Sequence, residues 1–570
     1  MQIRRLEIEN FRGITSLTWH PAAGVNVVLG SGDTGKSTLL DAIALVLSPQ
    51  PMQAAVETDY AHLDTTVPFH IRAVIGCLSD ELQGLVYPPP LWGWNSTNCE
   101  LTTSPSEERG DEPVLHVEVI GTEDLELLHT ILQPGNDPRP MSVAVRVAIG
   151  LWNISTTRAP DAQLRMSRGS LLERAVGRNQ LRAPAVLAMQ GTANSLDVPP
   201  ETTAAINRVA DQLHAAGLQF DDLKLSLVPG SGQSPVQLVT LVARLEGGQI
   251  PLANFGRGSQ QVAMVTLAAA EIANAPIAVV DEFEAGLEPY RQRALLAKLR
   301  AMVIANGQAF LTSHSPAVLR GLETGEAWRL RRDPPHSIEP ITGPLAALLK
   351  LDPEALLCRL PVIGEGATEV GVLHAFFADA SESDVNALGI HIVDGGGHEG
   401  ALRFVEAFAN NDRPTFALVD DETFARGQRQ RLTEQAHIRM CESPGGRCIE
   451  CALANALPAG DLDEFIALSG VDRDHVDVNA RRQAVTAQLG TQSRDSVEAL
   501  LTTHPENAVR AAIGEAATAG GWFKSVAAGE ELGRFMIAKV PVDHPLLAGV
   551  RALVADALTC VEGAAIVADG

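Results

Sequence analysis

The sequence contains no run approaching the roughly 18 consecutive apolar residues that a bilayer-spanning helix requires, which excludes a helical membrane span. It also lacks the apolar stretch of a signal peptide. Met1-Gln2-Ile3-Arg4-Arg5-Leu6-Glu7-Ile8 alternates as a strand does, so a cytoplasmic protein with no membrane partner is expected. Low-complexity tracts are missing, and 45% apolar against 20% charged residues excludes a disordered or fibrous chain. Cysteine is scarce. Seven in 570 residues, without repeated spacing, exclude a disulfide framework. Cys441, Cys448 and Cys451 cluster, but no further Cys or His follows at a zinc spacing, so reduced thiols are a better reading than a zinc site. Positive charge is short as well: 44 Lys and Arg against 69 Asp and Glu give a net charge of −25. A nucleic-acid surface on such a chain would have to be local. Tyrosine is rarest, with only Tyr60, Tyr87 and Tyr290. At this length one hydrophobic core does not suffice, and two to four domains are expected.

What the sequence does have begins with Val25-Asn26-Val27-Val28-Leu29, an apolar strand running into Gly30-Ser31-Gly32-Asp33-Thr34-Gly35-Lys36-Ser37. A helix from Thr38 to about Leu47 follows, with Leu39, Leu40, Ile43 and Leu47 apolar. This is a phosphate-binding loop in its strand–loop–helix setting. Gly30, Gly32 and Gly35 let backbone amides wrap phosphates, and the helix N-terminus at Ser37 and Thr38 adds positive partial charge. Lys36 would reach the outer phosphates of ATP, and the Ser37 hydroxyl would hold Mg²⁺. A second acidic group is expected at Ile277-Ala278-Val279-Val280-Asp281-Glu282, a buried strand ending in two acids. Asp281 would support the metal and Glu282 would polarise the attacking water.

Three further segments flank these acids: Phe255-Gly256-Arg257-Gly258-Ser259 opening a helix, Glu284-Ala285-Gly286-Leu287-Glu288-Pro289, and Thr312-Ser313-His314 after a strand. Together the set resembles the ABC-type ATPase head, in the spelling of the RecF-like and overcoming-lysogenisation-defect (OLD) branch, over residues 1 to about 335. The resemblance implies a signature loop at Gly256, Gly258 and Ser259 that contacts ATP held by a second copy. It also implies a D-loop and a switch histidine at His314. Where the usual signature begins Leu-Ser-Gly-Gly-Gln, this chain has Phe255-Gly256-Arg257-Gly258-Ser259. About 160–222 reads as helical, for example Thr203 to Ala216 with Ile206, Val209 and Leu213 on one face. In OLD-like proteins a helical insertion there serves dimerisation, and packing within one chain is the other reading.

The pattern restarts after Asp333-Pro334-Pro335. Arg359 to Ile363 reads as a strand, then Gly364-Glu365-Gly366-Ala367-Thr368-Glu369 and a helix from Val370. Strands Gly389–Val393 and Thr415–Val419 follow, with a helix Ala401–Asn410 between them, and the last strand ends in Asp420-Asp421-Glu422. Alternation of this kind predicts a parallel sheet whose strand ends carry the acids to one edge. Glu365, Glu369, Asp420 and Glu422 would repel one another without cations, and such oxygen donors suit Mg²⁺, Mn²⁺ or Ca²⁺. Gly395-Gly396-Gly397-His398-Glu399-Gly400, with Asp420 about 20 residues on, also spells a dinucleotide fingerprint, a rival use of the same turn.

The Glu365-Gly366-x-Thr368-Glu369 turn and the acid triplet resemble the Toprim domain of OLD nucleases, with Glu422 where Asp is usual. The resemblance adds a metal ligand at Glu450, from Ile449-Glu450, and Lys524, from Trp522-Phe523-Lys524-Ser525, as the group that stabilises charge on a scissile phosphate. No tyrosine falls in this half, so hydrolysis is favoured over a covalent tyrosyl route. The basic run Arg426 to Arg431 has two readings, a grip on DNA phosphates or a solvated face. The expected fold is therefore α/β. An ABC-type ATPase head over 1–352, with a helical dimerisation insertion, precedes a Toprim domain with helical additions over 353–570. The expected function is an ATP-hydrolysing, divalent-metal-dependent DNA endonuclease, in phage defence or DNA processing. It would act as a homodimer through the ATPase domain or insertion, and a UvrD-like helicase partner is a family-level expectation. The alternative is a RecF-like ATP-dependent DNA clamp that does not cut.

Overall fold

The computed structural model describes residues 1–48, 54–86, 91–154, 163–166, 170–176, 198–227, 239–245, 248–270, 277–304, 306–332, 335–410, 413–421, 426–435, 437–444, 448–468 and 476–568. They form two compact units, Met1–Thr342 and Gly343–Gly570.

In the first unit a six-stranded sheet has the spatial order Leu151–Ile154, Ile277–Val280, Gln308–Thr312, Gly24–Leu29, Ala327–Arg331, Ser337–Pro340. All neighbours are parallel except the last pair. Buried parallel strands have no solvated face, so they read as unbroken apolar runs, and Gly24–Leu29 is buried from Val25 onward. The helix Lys36–Leu47 lies between this sheet and an eight-stranded antiparallel one that includes Gln2–Phe11 and Phe69–Gly76. Covered on two sides, it buries Leu39, Leu40, Ile43, Val46 and Leu47. Trp19 from the antiparallel sheet meets Phe310 and Trp328 of the parallel one edge-on, each with centroids 5.4 Å apart. A single packed core thus lies beneath the phosphate loop.

Strand Gln2–Phe11 shows how local geometry serves the core. Ile3, Leu6, Ile8 and Phe11 are all buried although the spacing is not strictly two. A register shift between Ile3 and Arg5 and a left-handed Asn10, at φ 57°, each add the extra residue that restores the apolar face. Within the expected helical insertion, Leu171–Val176 and Pro200–Ala215 are helices, and a strand begins at Asp222. Positions 177–197 lie outside the described residues. Ile206, Val209 and Leu213 are buried. Their helix packs on Arg257–Ala270 and on Asp222–Leu227 of the same chain, so this apolar stripe is used internally.

The second unit carries a four-stranded, fully parallel sheet in the order Ile390–Asp394, Leu360–Gly364, Thr415–Val419, Ile438–Glu442. In chain order that is 2-1-3-4, and the strand order reverses between Leu360–Gly364 and Thr415–Val419. Ligands bind beyond the carboxyl ends of strands at such a reversal. Helices from Ile449–Ala456 to Pro545–Ala568 extend the same core, which joins Val362, Phe416 and Leu418 of the sheet to Phe465, Phe523 and Met536. Helix Val526–Lys539 packs on Ala367–Ala380 main chain to main chain. A side chain at Gly371 would collide with the Val526 carbonyl, and one at Gly529 with that of Thr368.

Candidate nucleotide and metal sites

In the first unit the strand Gln308–Thr312 stands between the phosphate-loop strand and Ile277–Val280, so the loop, the paired acids and His314 leave one sheet edge together. Lys36 is buried, and its Nζ lies 3.0 Å from the Gly30 carbonyl oxygen and 2.6 Å from that of Ser31. Burial lowers its pKa, opposed by the charges of Asp281 and Asp33. Ser37 is exposed and Thr38 half-buried at the helix start. The Thr312 hydroxyl donates to Asp281 Oδ1 and accepts the Glu282 amide at 2.8 Å, while the Thr312 carbonyl accepts the Phe283 amide at 3.0 Å. Glu282 itself takes a left-handed conformation, φ 49°, which is strained for a residue with a side chain. The strain is held in place by those two bonds.

His314 donates its amide to Glu284 Oε1 at 2.7 Å. Burial lowers the imidazole pKa first, and Lys36 adds to that, against Glu284, Glu282 and Asp281. The helix Arg257–Ala270 starts against the turn Glu284–Pro289. Gly258 packs on Gly286 with no room for a side chain, and Gln261 Nε2 donates to the Phe283 carbonyl at 2.9 Å. Gly256 and Arg257 are exposed and Ser259 is half-buried. The sequence reading missed Thr312 and Glu284 as positioning groups. The signal was present, since each stands two residues from an assigned one.

In the second unit Glu365 and Asp420 leave the two strands at the order reversal. The Asp420 amide donates to Glu365 Oε2 at 2.8 Å, and the Glu365 amide donates to the Leu418 carbonyl at 3.0 Å. Glu369, buried on the first turn of Ala367–Ala380, caps its helix by accepting the Gly366 amide at 3.0 Å. Glu450 is buried on the first turn of Ile449–Ala456, and its Oε1 has no hydrogen-bond partner. Burial pushes the Asp420 carboxyl up to about 8, helped by Glu365, Cys448 and Glu450, and Ser443 Oγ donates to it at 3.2 Å. Glu369 is raised well above the usual carboxylate range, again by burial first and then by Asp420, Glu450 and Glu365. Glu369 and Asp420 thus both feel the charges of Glu365 and Glu450. Among the described residues no group of three or more His, Cys, Asp and Glu forms a ready-made metal cage. Glu422 lies outside the described residues.

Lys524 is exposed. Its neighbour Phe523 accepts the Thr368 hydroxyl at 2.9 Å, which ties the lysine segment to the turn that bears Glu365 and Glu369. Two sequence readings change. In the glycine turn 395–397 the three amides donate to the carbonyl of Gly364 at 2.9 Å, to Asp394 Oδ1 at 2.8 Å and to the carbonyl of Glu365 at 2.8 Å. None is left to cradle a dinucleotide pyrophosphate. In the basic run, Arg429 is 1% exposed and bonds Asp421 and Glu442, so it is not a grip for DNA. Cys448 and Cys451 share Thr518, at 2.9 and 4.0 Å, while Cys441 packs beside Gly549.

The chain is similar to three family models: an AAA domain of the AbiEii-toxin type, type IV TA system, over 158–320; an overcoming lysogenization defect protein-like TOPRIM domain over 356–421; and a protein family of unknown function over 1–69. An AAA-type ATPase domain followed by an OLD-like Toprim domain is the architecture of the OLD family. Among curated proteins none matches the chain. Two solved structures align with it. One is an SMC head bound to the C-terminal winged-helix domain of ScpA, at 12% identity over 60% of this chain and 98% of that one, TM-score 0.37. The other is an SMC head with an extended coiled coil bound to the C-terminal domain of ScpA from Pyrococcus furiosus, at 10% identity over 61% and 98%, TM-score 0.37. Domains of the two matched kinds together make an ATP-dependent nuclease type, using a nucleotide and a divalent metal.

Proposed function

We propose that this chain, an ATPase head joined to an OLD-like Toprim domain, is a metal-dependent DNA endonuclease whose cutting is regulated by ATP. The observation that carries the reading is the acid set at the strand-order reversal, with Glu369 and Glu450 buried and Glu365 and Asp420 half-buried. Glu365 and Glu450 help to raise Glu369 and Asp420, Asp420 is held up to about 8, and Glu450 keeps an unpartnered buried oxygen. Buried acids in this state are costly without a cation, and an all-oxygen set suits Mg²⁺ or Mn²⁺. Divalent ions bound there would supply Lewis acidity to a water and to the leaving oxygen of a phosphodiester. Glu365, Asp420 and Glu450 would hold the metal, with Glu422 and Glu369 completing the donors, and Lys524 would meet charge on the scissile phosphate.

In the ATPase unit Gly30, Gly32 and Gly35 bring the loop amides to the phosphates. Lys36, now on the Gly30 and Ser31 carbonyls, would hold the outer phosphates, and Ser37, Thr38 and Asp281 would hold the nucleotide's Mg²⁺. Glu282, strained into place beside Thr312, would polarise the attacking water, and His314 would meet the γ-phosphate. Gly256, Gly258 and Ser259 would close on ATP held by a second copy, which makes the working form a homodimer. Defence against phage, and a UvrD-like helicase partner, belong to this same reading. The clamp reading draws on the net charge of −25 and on the lack of a ready-made cage among the described residues.

The test is cleavage of supercoiled plasmid with Mg²⁺, Mn²⁺ or Ca²⁺, with and without ATP. Glu365→Ala is expected to lower nicking by about a hundredfold or more, since even the outer partners of a metal site cost 10–100-fold. Lys36→Ala should keep a basal cut and lose the response to ATP. ATP hydrolysis with no cleavage under any metal would leave the clamp.

A further inference from the structure

The histidine within the glycine turn is buried, and two different groups bind its two ring nitrogens. His398 Nδ1 lies 2.8 Å from Glu365 Oε2, and Nε2 lies 3.3 Å from Arg429 Nη1. A guanidinium nitrogen can only donate, so Nε2 is the accepting nitrogen and the ring proton sits on Nδ1. Arg429 is itself fixed. Its Nη2 donates to Asp421 Oδ1 at 2.5 Å and its Nε to Glu442 Oε1 at 3.1 Å, with 1% of its surface exposed. Arg429 thus donates to both sides, to Asp421 and Glu442 on one and to His398 on the other, and His398 in turn donates to Glu365. Oε2 of Glu365 receives both the imidazole N–H and the Asp420 amide. The carboxylate is pinned by one oxygen, which leaves the other as its ligating atom.

We infer that His398 is a positioning residue: held in a single tautomer by Arg429, it sets the orientation of Glu365 so that this carboxylate can take a divalent cation. The inference rests on the nuclease reading above. It also gives a use to two features that reading leaves over, the histidine of Gly395–Gly400 and the buried arginine of the basic run. Outer partners of this kind fix the angle and basicity of a ligand without touching the metal. Asp421 then acts differently from Asp420 although they are adjacent: one anchors the arginine, the other faces the acids.

The experiment is Mn²⁺ binding to the full chain, followed by the resonance of free Mn²⁺ in paramagnetic spectra, alongside plasmid cleavage and thermal unfolding. The variants are His398→Ala, His398→Asn and His398→Gln. The Asn amide nitrogen sits about where Nδ1 does and keeps a donor on Glu365, whereas the Gln amide sits about where Nε2 does. His398→Ala and His398→Gln are expected to weaken Mn²⁺ binding about 10-fold or more, with His398→Asn within about threefold of wild type. Equal Mn²⁺ affinity in all of them, or Gln rescuing better than Asn, would overturn the inference while leaving the nuclease reading intact. A wild-type chain that binds no Mn²⁺ would sink both.

Discussion

Asp420 is a carboxyl with a folded pKa of about 8 against an ordinary 3.8. Between those values the folded chain keeps a proton that the unfolded chain has lost. Stability without metal therefore falls as pH rises through that window, by up to about 1.4 kcal/mol per unit. A cation entering the acid set must displace the proton. Metal binding near pH 7 is thus expected to release at least about one proton and to tighten toward pH 8. Calorimetry of Mn²⁺ binding in two buffers of different ionisation enthalpy gives the count, and binding without proton release would mean that Asp420 is already ionised. At this scale the acids were legible, because Glu365 and Asp420 follow apolar strands and acids there are seldom idle. His398 and Arg429 were not. One was spelled inside a glycine fingerprint and the other inside a run of charges, and which arginine of a short helix turns inward is decided by the packing of Arg426–Thr433 on its neighbours.

The elements that could be read from the sequence were those with a clean period or an unbroken apolar run. Val25–Leu29, Ile277–Val280 and Thr415–Val419 lie within strands at those bounds or within a residue of them. Of the eight-stranded antiparallel sheet only the opening strand was read, despite its register shift near Arg5 and its left-handed Asn10; the strands from Phe69 to Pro140 were not. The helices after Ile449 were expected only as helical additions without bounds, apart from the segment carrying Glu450. Their apolar residues face a shared core instead of lining one strict stripe. The seam between Ala367–Ala380 and Val526–Lys539 yields a prediction of its own. Gly371→Ala or Gly529→Ala should cost about 1–3 kcal/mol, as overpacking does, because the obstacle is backbone and cannot turn aside. Urea unfolding measures this, and wild-type midpoints would mean that the helices part freely. The same variants should cut more slowly than their stability loss explains, because the Lys524 segment shifts with the helix.

For the molecule as a whole, two units with separate cores and separate sites should respond to their ligands separately. Calorimetric unfolding of the full chain is expected to show two transitions, ATP raising one and Mn²⁺ the other. Each shift should be about 2.7 kcal/mol at a hundredfold excess over Kd. Lys36→Ala should cancel the first shift alone and Glu365→Ala the second. One transition moved by either ligand would show that the units unfold as a single body. Among the described residues no helix is long and apolar enough to cross a membrane, and the excess of acid makes any hold on DNA a local matter of few lysines and arginines, whose number sets how salt weakens it. The glycine seam also bears on how such a protein can vary. Where two helices touch through peptide units, their separation is set by backbone van der Waals contact and does not depend on the volume of the surrounding side chains. Substitutions elsewhere along both helices can then accumulate without changing the interval between the lysine segment and the acid turn. The seam works as a gauge block, and it asks for fidelity at very few positions.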